Sequence, residues 1–294
     1  MDQTTAAKTM RMRDGRRLCY EEFGDPDGAP VILMHGSPGS RLSPHPRTSR
    51  LHLAGVRVIA YDRPGYGDSE RQTGRCIADA AADMEDLANE LGIELFAVAG
   101  RSGGAPHALA CAALLPERVT RAAALVAVAP RALMGEQWYR DMSARNVDWY
   151  RMAERGLGPY TAYVAEEMNR SRADPDTFVP YEHPGLPRAD KKVVSDFGIR
   201  ELFSENFSEG LRWSVDGWID DNIAIVNPWG FDPARITVPV LLWHGTEDIF
   251  SPVDHSRWLA MEIPQAELRL VEGSAHFSAV EVLPSVLKWL TEET

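Results

Sequence analysis

The sequence predicts an α/β fold: a mostly parallel central sheet with helices on both faces and a helical cap inserted before the last strands. Three observations predict it. Short apolar runs alternate with helical stretches through the first half, as expected of a parallel sheet covered on both sides. From about Arg131 to Ala234 the strand signal fades, and helix-like stretches broken by Gly and Pro replace it. After Pro239 the alternation resumes.

The strands expected in order are Arg17–Glu22, Val31–His35, Val56–Tyr61, Leu95–Ala99 and Ala122–Ala129, followed beyond the insertion by Pro239–Trp243 and Glu267–Val271. Gly24-Asp25-Pro26-Asp27-Gly28 separates the first two as a turn. Asp79–Leu91 places Ala80, Met84, Leu87 and Leu91 at helical spacing, and Gly92 supplies the stop. Ala105–Leu115 reads as a helix rich in small residues, suited to close packing on a sheet, and Leu283–Leu290 as a closing helix. This divides the chain into a core of residues 1–130 and 235–294 and a cap of residues 131–234. Trp138, Tyr139, Trp149, Tyr150, Tyr160, Tyr163, Trp213, Trp218 and Trp229 concentrate most of the large aromatics in the cap. Any single one of them reads first as cap packing and second as substrate contact.

With 294 residues, 44% of them hydrophobic and 25% charged, the chain has the composition of a soluble globular protein that holds one large core. Its 43 acidic and 31 basic residues give a formal charge of −12. That balance argues against a nucleic-acid partner, which needs a basic face. Arg11, Arg13, Arg16 and Arg17 cluster locally and read as a solvated strand edge. Cys19, Cys76 and Cys111 match no metal or redox spacing, and Cys19 and Cys111 read as packing residues. The first ten residues lack the apolar stretch of a secretory signal, and no run approaches the ~18 apolar residues of a membrane span. The expectation is a cytoplasmic protein acting on a small molecule, without membrane or nucleic-acid partners. Oligomeric state is left open.

Gly100-Arg101-Ser102-Gly103-Gly104 follows the apolar run Leu95–Ala99 and precedes a helix. Average Gly and Ser usage produces a G-x-S-x-G by accident in about one chain of this length in ten, so context must decide it. In a strand–turn–helix setting the serine sits on a sharp turn that presents its hydroxyl at the sheet edge. The Gly103 amide then stands at a helix start, where it can donate to an oxyanion. A dinucleotide-binding reading fails because Ser102 occupies the place of the second glycine of that fingerprint. His35-Gly36-Ser37-Pro38-Gly39 ends another central strand. Either it is a plain tight turn, or it aims the Ser37 amide at the same point as a second oxyanion donor.

A serine hydroxyl needs a base. Of eight histidines, His35 and His244 end strands and suit backbone or packing roles, and His107 faces the core. His45, His52, His183 and His255 lie in polar or irregular context and read as surface. His276 stands in the small-residue loop Glu272-Gly273-Ser274-Ala275-His276-Phe277 after the last strand, from which a side chain reaches back over the sheet edge. Gly245-Thr246-Glu247-Asp248 ends the neighbouring strand. A carboxylate there fixes the imidazole tautomer, and Asp248 is preferred to Glu247. No cluster has metal-ligand spacing and no phosphate-binding glycine loop is present, so neither metal nor cofactor is expected.

The order Ser, acid, His is that of one hydrolase lineage and differs from the two best-known protease orders. Together with HGSPG, GRSGG, GTED, GSAH and the stretch Asp62-Arg63-Pro64-Gly65-Tyr66-Gly67-Asp68-Ser69, it makes the sequence resemble the α/β-hydrolase superfamily over roughly Leu18–Leu290. The resemblance implies a Ser102, Asp248 and His276 triad with the Ser37 and Gly103 amides as oxyanion hole. It does not fix a substrate. Proline iminopeptidases are similar at His35–Gly39 but usually carry an aromatic residue where Gly103 stands, which weighs against peptidase action. Dehalogenase and epoxide-hydrolase relatives use an aspartate nucleophile, and Ser102 argues against both.

The leading expectation is a serine hydrolase cleaving a carboxylic ester, lactone or related acyl bond of an apolar small molecule through an acyl-serine intermediate. The alternatives are a cofactor-free carbon–carbon bond hydrolase or lyase on the same fold, a non-catalytic ligand-binding receptor, and peptidase or acyltransferase action.

Overall fold

The computed structural model describes residues 7–43, 45–173 and 185–292. Eight strands form one sheet in the order β1-β2-β4-β3-β5-β6-β7-β8. They are β1 Lys8–Arg11, β2 Arg17–Gly24, β3 Ala29–Met34, β4 Val56–Tyr61, β5 Phe96–Arg101, β6 Val119–Leu125, β7 Val240–Gly245 and β8 Ala266–Val271. β1 and β2 pair antiparallel, as do β2 and β4. Every pair from β4 to β8 is parallel.

The sheet is covered on both faces because its central strands are apolar on both. Ile32, Val98 and Leu242 belong to one core, while Val31, Leu33, Ala97, Ala99, Leu241 and Trp243 belong to the other. That is the two-residue period of an extended chain. The first core is closed by helices α2 Asp79–Glu90 and α3 Ala105–Leu114 and by Leu259 of α10 Asp254–Glu262. The second is closed by Leu51 of α1 Thr48–Leu53 and by α11 Ala279–Thr291. α11 buries Leu283, Val286, Leu287 and Leu290, each contributing about 1.5–3 kcal/mol over an exposed side chain.

Three features depart from the sequence expectation. β1 was not foreseen: it is a four-residue edge strand whose burial pattern is mostly exposed. Arg13 is exposed, as a solvated edge would be, but Arg16 is partly buried, and both tie the β1–β2 turn to α2 through Glu85, Asp86 and Asp83. The strand expected over Ala122–Ala129 starts at Val119 and stops at Leu125, because Val126 takes φ +45° and turns the chain out of the sheet. Cys19 and Cys111 are buried as expected, and all three cysteines are free thiols.

Among the described residues, the connection between β6 and β7 carries six helices: α4 Arg131–Met134, α5 Ala144–Ala153, α6 Leu157–Ala173, α7 Arg188–Ser195, α8 Phe197–Gly210 and α9 Asp216–Val226. A third cluster, around Trp149, Tyr160, Val164, Trp218 and Ile219, packs these helices together with Tyr66 of the core. A fourth joins Val193, Val194 and Phe203 to Phe277. Among the described residues no helix is long and apolar enough to cross a membrane.

Candidate active site

Ser102 follows β5 directly, at the carboxyl edge of the sheet, with φ +54°. That left-handed turn is uncommon for a residue with a side chain and marks a site held by its surroundings. Tight packing holds it: a β-carbon on Gly104 would meet the carbonyl oxygens of Met34 and His35, so only glycine lets α3 start this close to β3. The Ser102 side chain faces a cavity also lined by Gly36, Ser37 and His276.

His276 sits in the loop between β8 and α11, and its Nδ1 donates to Asp248 Oδ2 at 2.7 Å. Asp248, in the loop after β7, is buried behind it and accepts the Phe250 and Ser251 amides through Oδ1, at 2.8 and 3.0 Å. Burial alone would raise the pKa of this carboxyl. Interactions with His276 and hydrogen bonds from His244 and His276 outweigh burial and hold it below the usual carboxylate range. Glu247, the neighbouring carboxylate, is exposed.

Ser37 and Gly103 are brought side by side. A β-carbon on Gly103 would lie 3.3 Å from the Ser37 amide nitrogen and collide with Ser37 Oγ. The glycine is therefore what allows the two loops to close on each other, with Gly103 in the 3-10 turn Ser102–Gly104 that leads into α3. The Ser37–Pro38 peptide is cis.

Aromatic rings line much of the cavity wall: Trp149 and Tyr150 of α5, Phe203 and Phe207 of α8, Trp218 of α9, and Phe250 and Phe277 from the core loops. Trp149 and Trp218 stack at 4.4 Å, and Phe250 meets the His276 ring edge-on at 5.3 Å. Of the cap aromatics singled out in the sequence, only Trp149, Tyr150 and Trp218 line this cavity. Trp138, Tyr160 and Trp229 are buried elsewhere, and Trp213 is 71% exposed. The charged side chains on the wall are Arg101 and Arg145; among the described residues no Asp or Glu lines it. No group of three or more His, Cys, Asp or Glu among the described residues is placed to hold a metal ion.

The other histidines divide. His107 is buried as expected, donating to the Gly103 carbonyl at 2.9 Å, and burial pushes its pKa down to about 3. His35 and His244 bond backbone carbonyls at Gly36 and Ser251. His244 also stands 3.3 Å from Asp248 Oδ2, a contact of this carboxylate that sequence reading missed. His52 is exposed and His45 partly buried; His183 lies outside the described residues. His255, expected at the surface, is 1% exposed. Its position in α10 turns it inward between the Ala129 amide, which donates to Nδ1 at 3.0 Å, and the Trp138 carbonyl, 2.8 Å from Nε2.

Sequence reading also missed a buried ion network beside Ser37. Asp221 of α9 meets Arg63 at 2.6 Å, Arg75 at 2.5 Å and the Tyr66 hydroxyl at 2.8 Å. Arg63 and Tyr66 belong to the Asp62–Ser69 motif, which was the available signal; nothing in the cap sequence marks Asp221.

A family model described as alpha/beta hydrolase fold matches residues 29–281. The proline iminopeptidase of Neisseria gonorrhoeae is 26% identical over 287 residues, covering 90% of this chain and 88% of that protein. A non-heme chloroperoxidase of Streptomyces lividans is also 26% identical, over 91% of this chain and 92% of that one. The crystal structure of the enol-lactonase from Burkholderia xenovorans LB400 superposes with a TM-score of 0.68 at 20% identity, covering 96% of this chain and 98% of the other. At that identity the likeness speaks for the fold alone.

Proposed function

This chain belongs to the alpha/beta hydrolase fold family, and from that premise we propose that it is a serine hydrolase cleaving a carboxylic ester, lactone or related acyl bond of an apolar small molecule. The observation that carries the proposal is the 2.7 Å contact from His276 Nδ1 to buried Asp248, with His276 lining the same cavity as Ser102. With its Nδ1 proton committed to Asp248, the imidazole offers Nε2 as a base. Ser102 Oγ attacks the acyl carbonyl as its proton passes to His276 Nε2. The oxyanion that forms accepts hydrogen bonds from the Ser37 and Gly103 amides. Collapse breaks the bond to the leaving alcohol, which takes the proton from His276. Water then attacks the acyl-serine with His276 again as base, releasing the acid and restoring Ser102.

The wall chemistry supports an ester or lactone over an N-terminal peptide. A free α-ammonium calls for a carboxylate partner in a pocket of low polarity. The described wall instead holds aromatic rings, two arginines and no Asp or Glu. Gly103, in place of an aromatic residue after the nucleophile, points the same way.

The test is labelling with a small fluorophosphonate followed by peptide mass spectrometry, alongside turnover of p-nitrophenyl esters, lactones and a prolyl arylamide. The expected result is label on Ser102 and turnover of esters or lactones above the arylamide. Preferred arylamide cleavage would replace the substrate class, and ester turnover without label on Ser102 would remove the mechanism.

A further inference from the structure

Two fully buried aspartates of the cap reach down to the two loops that the proposed chemistry depends on. Asp221, on α9, is 0% exposed. Its Oδ2 accepts from Arg63 Nη2 at 2.6 Å, from Tyr66 Oη at 2.8 Å and from Ser37 Oγ. Arg63 in turn donates to Ser37 Oγ at 2.9 Å, to the Gly36 carbonyl at 3.0 Å and to the His35 carbonyl. Within the Gly36–Ser37 turn, whose Ser37 amide stands beside Gly103, the Ser37 side chain is thus held directly by Asp221 of the cap, and the Gly36 carbonyl by Arg63 of the core, which Asp221 itself holds. Asp190, on α7, is also 0% exposed. Its Oδ1 accepts the Phe277 amide, next to His276, at 2.7 Å, while Oδ2 is buried without a hydrogen-bond partner among the described residues. Burial pushes this carboxyl up to about 6.

Neither group is an efficient source of stability. A buried ion network gives back in attraction about what it loses in desolvation, and an orphaned buried carboxyl oxygen is a net cost. What each provides is registry. α9 carries Trp218 and Asn222 on the cavity wall within one turn of Asp221, and α8, packed on α7, carries Phe203 and Phe207 there. The helices that would touch the acyl group are therefore the same elements, or their immediate neighbours, that hold the catalytic loops.

We propose that Asp190 and Asp221 are positioning residues, Asp190 for the His276 loop and Asp221 for the oxyanion loop, so that the cap sets the geometry of the chemistry in addition to covering it. This rests on the serine-hydrolase reading above. The consequence is a split in kinetics. Loosening either anchor misplaces a donor or base by a fraction of an ångström, which lowers kcat, while the aromatic wall that binds substrate is left in place and KM changes little.

The experiment uses the full chain and the best ester found above, with active sites counted by fluorophosphonate titration. Ser37→Ala removes the hydroxyl that reaches Asp221 but keeps the amide. It is expected to lower kcat per titrated site by about tenfold with KM within about twofold. Asp190→Ala is expected to do the same, and Asp190→Asn to recover most of the loss, since the amide oxygen can still accept the Phe277 N–H. Asp221→Asn leaves two buried guanidiniums facing a neutral group and is read only as a folding control beside Ser37→Ala. Wild-type kcat per titrated site in both Ser37→Ala and Asp190→Ala, whatever their melting temperatures, would overturn the positioning role. A Ser102→Ala variant run in parallel separates the two failures. Turnover that survives it would overturn the serine reading itself, whereas Ser102-dependent turnover with unaffected anchor variants would overturn only the role given to the cap.

Discussion

The Asp248 carboxylate divides its oxygens between two tasks: Oδ2 meets His276 Nδ1 at 2.7 Å, and Oδ1 accepts the Phe250 and Ser251 amides. The second task fixes the direction of the first. A side chain held by two backbone amides cannot swing away from the imidazole without abandoning both, and the buried Ser251 amide alone would cost about 1–3 kcal/mol unsatisfied. His244 Nε2, which also bonds the Ser251 carbonyl, stands 3.3 Å from Oδ2.

Because one carboxylate is tied in this way and its neighbour Glu247 is exposed, the two should behave oppositely when neutralised. Asp248→Asn is expected to lower kcat by about 10³–10⁴-fold through the wrong tautomer and an unsupported imidazolium, with the fold retained. Glu247→Gln is expected to change it by less than about tenfold, since it holds no place at the imidazole. Steady-state kinetics at matched pH, with circular dichroism as the folding control, decide between them. A dead Glu247→Gln enzyme would move the acid by one residue.

Ser102 stands in a left-handed turn that its neighbours enforce, so replacing its side chain should leave that turn intact. Ser102→Ala is expected to fold normally and to lose about 10⁴-fold or more in kcat. Near-normal ester turnover by that variant would refute the nucleophile assignment.

How much of this was legible in the sequence depends on how locally each signal is written. Ser102 and His276, which the fold brings to one cavity, could be singled out because a strand, a glycine turn and a helix surround the first, and a small-residue loop carries the second. The central strands were legible from their apolar runs, whereas β1, four residues at an edge, has too little periodicity to register. Asp190 and Asp221 were not legible. Asp190 sits in Arg188-Ala189-Asp190-Lys191-Lys192 and Asp221 follows Asp220, and charged neighbours on a helix read as a solvated face. Only tertiary packing turns these two inward. His255 failed for the same reason, lying among Asp254, Ser256 and Arg257 in a helix whose buried side faces Ala129 and Trp138.

Gly103 offers a test of the oxyanion loops that does not touch a hydrogen-bonding side chain. Its backbone conformation suits any residue, since its φ is not positive. A β-carbon there would nevertheless strike Ser37 Oγ and lie 2.8 Å from Ser37 Cβ. Gly103→Ala is expected to push the Ser37 amide away and cost about 10–100-fold in kcat, with stability falling by about 1–3 kcal/mol from overpacking. Adding Ser37→Gly to it clears the contested space, so the double variant should be more active than Gly103→Ala alone. If the losses of the two single variants simply multiplied, the two residues would not share that space.

His255 allows a prediction about stability and pH. Its Nδ1 receives the Ala129 N–H and its Nε2 donates to the Trp138 carbonyl, so the neutral ring satisfies both neighbours. A second proton would sit on Nδ1, facing an N–H donor in a buried site. Burial, opposed only in part by the bond to Trp138, accordingly pushes its pKa down to about 4 against about 6.5 in an unfolded chain. A depressed pKa means that the stabilisation is fully present above about pH 6.5 and is lost as pH falls through the window to about 4. Between pH 7 and pH 5 this one group should remove about 2 kcal/mol from the wild-type protein. His255→Gln abolishes the titration and gives up part of the hydrogen bonding. The variant is therefore expected to be the less stable of the two at pH 7 and to close the gap by about 2 kcal/mol at pH 5. Urea unfolding of both proteins at the two pH values measures the difference directly. Parallel decline of the two curves would mean that His255 is already protonated, or solvated, in the folded state.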